Sequence, residues 1–275
     1  MSPTPPTSEP TAFVRSRDGT RIAVFRSGDG PPLALVHGAT ADHTAFRVVG
    51  PMLGVSFTVD AIDRRGRGAS GDAEGPYSIE REFEDVAAVA EALAADAGGP
   101  VDVFGHSYGG RCALGAALLT DAIRRVISYE GAPTPPGSSY HPPGIEDRLR
   151  DLLAAGDRDG ALSLFLSEVV GMGAIELVAY QADPIWPTRA AAAGTILREL
   201  EAEADPAASL DRLGAVRQPV LQILGDDSLP VFGDATFALD ERLVDGRIVV
   251  IDGARHAAHH THPDEVVEAV QAFLA

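Results

Sequence analysis

Gly105-His106-Ser107-Tyr108-Gly109 sets a serine between two glycines, directly after the apolar run 101–104. A strand that turns at once into a helix forces its apex residue into a strained backbone conformation. Glycines two positions either side are needed because side chains there would strike the neighbouring backbone. The product is a nucleophile elbow, which holds the Ser107 hydroxyl in the open above the positive end of a helix dipole. A hydroxyl is a poor nucleophile without a base. The stretch "DGARHAAHHTHPD" supplies His256, four residues past Asp252 in a loop after the last apolar run. In "LVHGAT", Gly38 lets the next backbone N–H turn inward, so the N–H groups of Ala39 and Tyr108 form a two-donor oxyanion hole. His37 is then a packing and hydrogen-bonding residue. His256 and His260 have the H-x-x-x-H spacing of zinc sites but lack the accompanying H-E-x-x-H glutamate, so no metal is expected. His259, His260 and His262 are read as solvent-facing. Arg111, just after the elbow, is taken as facing solvent and given no role.

The elements that must carry these residues alternate. Segments 13–17 and 21–25 flank Asp18-Gly19 as a hairpin. The apolar run 33–36 and the core of 56–62 suit strands buried on both faces of a parallel sheet, and 101–104, 125–129, 219–224 and 247–251 are read as further strands. Phe83, Val86, Ala87, Ala90 and Leu93 recur at helical spacing within 79–97, and Gly98-Gly99-Pro100 stops that helix. A helix is expected over 111–119, and Val266, Val267, Val270, Phe273 and Leu274 line a closing one. The middle differs: a Pro- and Gly-rich stretch, 132–144, leads into apolar stripes at Leu149, Leu152 and Leu153 and at Leu162, Phe165, Leu166 and Val169. No strand is evident before Val220. This reads as a helical insertion, 132–209, in a core of 13–131 and 210–275, after a flexible tail of 1–12.

The 275 residues, 45% of them hydrophobic, can bury a full-sized core. The formal charge of −18 argues against nucleic acid or an anionic membrane as partner, since both call for clustered cations. No apolar stretch reaches the length of a membrane span, and the N-terminus has no signal-peptide pattern. Cys112, the single cysteine, is read as a small core residue, and a reducing cytoplasm is the simple expectation.

With "HGAT", "DRRGRGAS" (63–70), "GHSYGG" and His256 ahead of Pro263 in this order, the chain resembles the α/β-hydrolase superfamily over all but its tail. The resemblance implies an α/β fold with a mostly parallel eight-stranded sheet, helices on both sides, and a helical cap inserted after the sixth strand. It also implies Ser107 as nucleophile, His256 as base, Ala39 and Tyr108 as oxyanion donors, and no cofactor. The departure lies in the acid. The family usually carries it after the seventh strand, where this chain has "LGDDSLP" with Ser228 at the usual position. Some members carry it after the sixth strand, where "VISYEGAP" offers Glu130. Glu130 is favoured for its reach, with Asp227 and then Asp226 as alternatives. The expected activity is serine hydrolysis of a small or medium carboxylic ester. Lactone, thioester or carbon–carbon hydrolysis and cofactor-free perhydrolysis are neighbouring readings, and a non-catalytic ligand-binding protein is the reading from another class. Trp186, the sole tryptophan, is a candidate wall of the substrate pocket. Substrate identity and oligomeric state are not legible.

Overall fold

The computed structural model describes residues 9–275. Most of the expected tail lies outside the described residues, but Ala12, assigned to it, already opens the first strand. The eight strands are β1 (Ala12–Arg15), β2 (Arg21–Ser27), β3 (Pro32–Val36), β4 (Thr58–Ile62), β5 (Val101–His106), β6 (Ile123–Tyr129), β7 (Val220–Gly225) and β8 (Gly246–Ile251). They form one sheet in the order β1-β2-β4-β3-β5-β6-β7-β8. β1 and β2 pair antiparallel, as does β2 with β4, and every later pairing is parallel.

Twelve α-helices are present among the described residues: α1 (Val49–Leu53), α2 (Ile79–Ala97), α3 (Tyr108–Ala117), α4 (Ile145–Ala154), α5 (Arg158–Glu168), α6 (Ala174–Gln181), α7 (Trp186–Ala191), α8 (Ile196–Glu201), α9 (Leu210–Leu213), α10 (Pro230–Asp240), α11 (Ala258–Thr261) and α12 (Pro263–Leu274). The continuous apolar strands are explained by cores on both faces. Alternate strand residues Leu33, Leu35, Phe104, Ile127 and Leu221 pack with Leu53 of α1 and Val266, Val270 and Phe273 of α12. Their neighbours Ala34, Val36, Val103, Val126 and Val220 pack with Phe83 and Val86 of α2, Cys112 and Leu114 of α3, and Phe232 of α10. α2 and α3 approach closely because Gly115 has no side chain: a Cβ there would meet the Phe83 ring at 2.3 Å.

The helix expected over 111–119 instead starts at Tyr108, immediately after Ser107, and ends at Ala117. Helices α4 to α9 lie between β6 and β7. Ties to the core include a buried ionic network in which the Arg64 guanidinium meets Glu82 at 2.8 Å and Glu199 of α8 at 2.6 Å. Arg67 bonds Glu199 as well. No helix among the described residues is long and apolar enough to cross a membrane.

Candidate active site

The loops at the carboxyl ends of β3, β5, β6 and β8 converge, and three of them hold strained residues. Among the described residues the non-glycine positions with positive φ are Thr40 (56°), Ser107 (55°) and Glu130 (46°). Left-handed backbone at a non-glycine residue costs energy and persists only where surrounding packing over-determines it. Ser107 sits on the N-terminus of α3 with φ 55° and ψ −127°. The tightness of the elbow is measurable: a Cβ on Gly105 would meet the Gly109 carbonyl oxygen at 2.3 Å, and one on Gly109 would meet that of Val36 at 2.2 Å. Both glycines are therefore steric necessities.

His256 is 7% exposed and is held from several sides. Its Nδ1 lies 2.6 Å from Glu130 Oε2. Pairing with a carboxylate keeps the proton on Nδ1 and leaves Nε2 as the free, basic nitrogen. Glu130 is itself fixed, because its Oε1 accepts from the Gly225 N–H at 2.8 Å and from the Ser228 hydroxyl at 2.6 Å. Ser228, at the family's usual acid position, thus supports the carboxylate that replaces it. Asp226 and Asp227 are exposed; Asp226 Oδ1 accepts from the Gly253 N–H at 2.6 Å and shapes the loop before His256. Phe232 stacks on the imidazole with ring centroids 4.4 Å apart. Two further supports escaped sequence reasoning. His106 Nε2 bonds the His256 carbonyl at 2.8 Å. The Tyr129 hydroxyl donates to the Arg255 carbonyl and accepts from the Ala258 N–H. Burial holds the His106 imidazole well below its usual pKa, so it is the neutral ring that donates.

Opposite the elbow, His37 is fully buried, with Nδ1 2.8 Å from the Gly38 carbonyl and Nε2 accepting from the Arg64 N–H at 3.0 Å. In a trans peptide the C=O and N–H point opposite ways, so anchoring the Gly38 carbonyl turns the Ala39 N–H from His37. Gly38 abuts Ser107 closely; a Cβ on it would meet Ser107 Cβ at 3.0 Å. The N–H of Ala39 and the N–H of Tyr108 have no hydrogen-bond partner among the described residues.

Two cavities of about 40 and 170 Å³ share Ala39, Ser107, Phe165, Val170 and His256. Ser107 and His256 therefore border common space, with no hydrogen bond between their side chains. Such contacts often tighten only when substrate is bound. The smaller cavity extends past Tyr108, Tyr140 and Phe232 to Arg111 and Glu203; the larger runs past Leu166, Met172 and Tyr180 to Arg189 and His259.

Several sequence expectations are corrected here. Arg111 does not face solvent: it is 4% exposed and lines the smaller cavity. His259 is buried against His106, ring centroids 4.2 Å apart, and His260 lines the larger cavity beside it. Trp186 walls neither cavity. Its indole N–H needs an acceptor and finds Asp159 at 2.5 Å, and its ring buttresses Tyr180, which does line the larger cavity. Cys112 is fully buried and burial pushes its thiol up, away from nucleophilic use. One group among the described residues, Asp42, His43 and Asp63, brings ligand-type atoms within 4.8 Å, but it lies outside both cavities. Its carboxylates are already engaged, Asp63 Oδ1 by the N–H and ring of His43 and Asp42 Oδ1 by Thr44.

The profile of a family described as "Alpha/beta hydrolase family" matches residues 33–269. The chain belongs to that family. An alpha/beta hydrolase from Sphaerobacter thermophilus is 32% identical, superposes with a TM-score of 0.82, and covers 96% of this chain and 100% of its own. The pimeloyl-[acyl-carrier protein] methyl ester esterase of Xanthomonas campestris is 28% identical over 269 residues, covering 90% of this chain and 96% of that protein. The probable oxidoreductase EphD of Mycobacterium tuberculosis is 36% identical over 109 residues, but the chain spans only 18% of that relative's length. Within the alpha/beta hydrolase frame the departure is local: the carboxylate on the histidine comes from the end of β6.

Proposed function

We propose that this alpha/beta hydrolase cleaves a carboxylic ester of a small to medium substrate through a Ser107–His256–Glu130 triad. The observation that carries the proposal is the imidazole of His256, bonded through Nδ1 to Glu130, lining the same cavities as Ser107 at its strained elbow. In this mechanism Ser107 Oγ attacks the ester carbonyl as Nε2 of His256 takes its proton. The Ala39 and Tyr108 N–H groups receive the developing oxyanion, with the α3 dipole behind them. The carbonyl–alcohol bond breaks, the imidazolium protonates the departing alcohol, and an acyl-serine remains. Water, deprotonated by the same imidazole, then releases the acid. Glu130 stabilises the imidazolium and holds the ring; it carries no proton.

The ester assignment draws on the esterase relative from Xanthomonas. The shifted acid favours a non-catalytic reading, and Glu130 on the imidazole supports the catalytic one instead. A fluorophosphonate probe tests the proposal: wild type labels at Ser107, Ser107→Ala does not, and a panel of p-nitrophenyl esters and lactones shows turnover. Folded wild type that neither labels nor turns over any acyl substrate would refute it.

A further inference from the structure

Arg111 follows Ser107 by one helical turn, and its N–H bonds the Ser107 carbonyl at 3.3 Å. It therefore leaves α3 on the face that carries the nucleophile. Arg111 lines the smaller cavity, and its guanidinium lies between two phenol rings, with Cζ 5.7 Å from the Tyr108 centroid and 5.5 Å from that of Tyr140. Its hydrogen bonding is incomplete: Nη2 donates to the Ala132 carbonyl at 3.3 Å, while Nε and Nη1 have no partner among the described residues. Glu203 Oε1 approaches Nη1 only to 3.7 Å, beyond hydrogen-bond reach. Unpaired donors on a buried cation are costly and call for an explanation. Arg64 gives a contrast, with Nε and Nη2 both donating to carboxylates, whereas Arg67 Nε also has no partner among the described residues. Arg64 and Arg67 lie against Glu82 and Glu199, so the latter's charge is already compensated. Arg111 is the only arginine lining this cavity.

We propose that Arg111 is a specificity-determining residue that binds a carboxylate carried by the part of the substrate entering the smaller cavity. The inference rests on the acyl-transfer reading of Ser107 and deepens it from esters in general to esters of short, anionic molecules. An anion there supplies acceptors to Nε and Nη1 while the phenol rings enclose it, and charge-assisted bonds of this kind are the stronger class. Burial raises the pKa of the Glu203 carboxyl group against the lowering effect of Arg111. The cavity, about 40 Å³, suits a short chain between the ester and the charge.

The charge can stand on either side of the ester bond, and two substrate pairs separate these cases. Monomethyl glutarate is compared with methyl valerate for the acyl side, and acetoxyacetate with ethyl acetate for the alcohol side. Wild type is expected to favour the carboxylated member of one pair by roughly ten- to a hundredfold in kcat/KM, the range of a hydrogen bond to a charged group. In Arg111→Met that ratio collapses toward one. A folding defect lowers both members alike and so leaves the ratio where it was. Glu203→Gln, which removes the competing carboxylate, raises the ratio and reports even if Arg111→Met fails to fold. Wild type indifferent in both pairs, equal losses for charged and uncharged esters in Arg111→Met shown to be folded by its circular dichroism and melting transition, or an unmoved ratio in Glu203→Gln would each overturn the assignment. Turnover of the uncharged esters reports the hydrolase reading separately. If no ester is cleaved, thermal stabilisation by glutarate, present in wild type and absent in Arg111→Met, still decides the carboxylate site.

Discussion

The carboxylate against the imidazole of His256 comes from the end of β6. Glu130 spans from the end of its strand to His256, which the exposed Asp226 and Asp227 do not contact. Glu130→Gln keeps the shape but presents an amide to Nδ1, which favours the wrong tautomer; kcat is expected to fall by about 10³–10⁴. Asp227→Asn should stay within about twofold of wild type, as surface changes usually do. Ser228→Ala withdraws one of two donors from Oε1, and a loss of roughly fivefold is expected for a single hydrogen bond near 1 kcal/mol. Steady-state kinetics on one p-nitrophenyl ester compares all three. The acid was legible as a candidate because "SYEG" closes an apolar strand, but choosing among three carboxylates required distances. Arg111 had a signal that went unused: position 111 is one turn beyond position 107, so a helix opening at Tyr108 must place both on one face. Trp186 failed as a pocket wall because sequence shows that an aromatic residue is buried without showing which side it presents.

The strands were read closely, since short runs such as 33–36, apolar at every position, suit strands covered on both faces, although β8 at the sheet edge leaves Val249 and Val250 exposed. Helix 79–97 was found at its observed limits because its apolar period and the Gly98 stop are both local signals. The helix after the elbow was placed three residues late. Tyr108, Gly109 and Gly110 look like turn residues, yet the elbow needs the small ones inside the first helical turn. Packing between elements has a checkable consequence at Gly115. An alanine there pushes its methyl into the Phe83 ring and should destabilise the fold by about 1–3 kcal/mol through overpacking. The chemical denaturation midpoint measures this, while kcat per folded molecule should change little.

At the scale of the whole molecule, the buried histidines set an acid limit to stability. Burial first, then neighbouring charge, holds His37, His106 and His259 well below the ordinary 6.5. His260 is lowered to about 4 by burial and by Arg47 and Arg189. In the unfolded chain these rings protonate near 6.5, so between that value and about 4 the unfolded state binds more protons. Stability is then complete above pH 6.5 and is lost as pH falls. Glu82 adds a second loss lower down: although burial would raise it, Arg64 and Arg67 hold it at about 2 against an ordinary 4.5. The melting temperature should therefore decline from near neutrality, in a scan where proteins without buried neutral histidines would stay level to about pH 5. The position of Glu130 also fixes how the reacting groups are shared along the polypeptide. In the proposed mechanism the nucleophile, the carboxylate and both oxyanion donors precede residue 131, and the imidazole alone comes from beyond β7. A break in the exposed stretch 137–139 would thus yield two fragments, one holding every group but the base, and hydrolysis should return only when the two are mixed and reassemble.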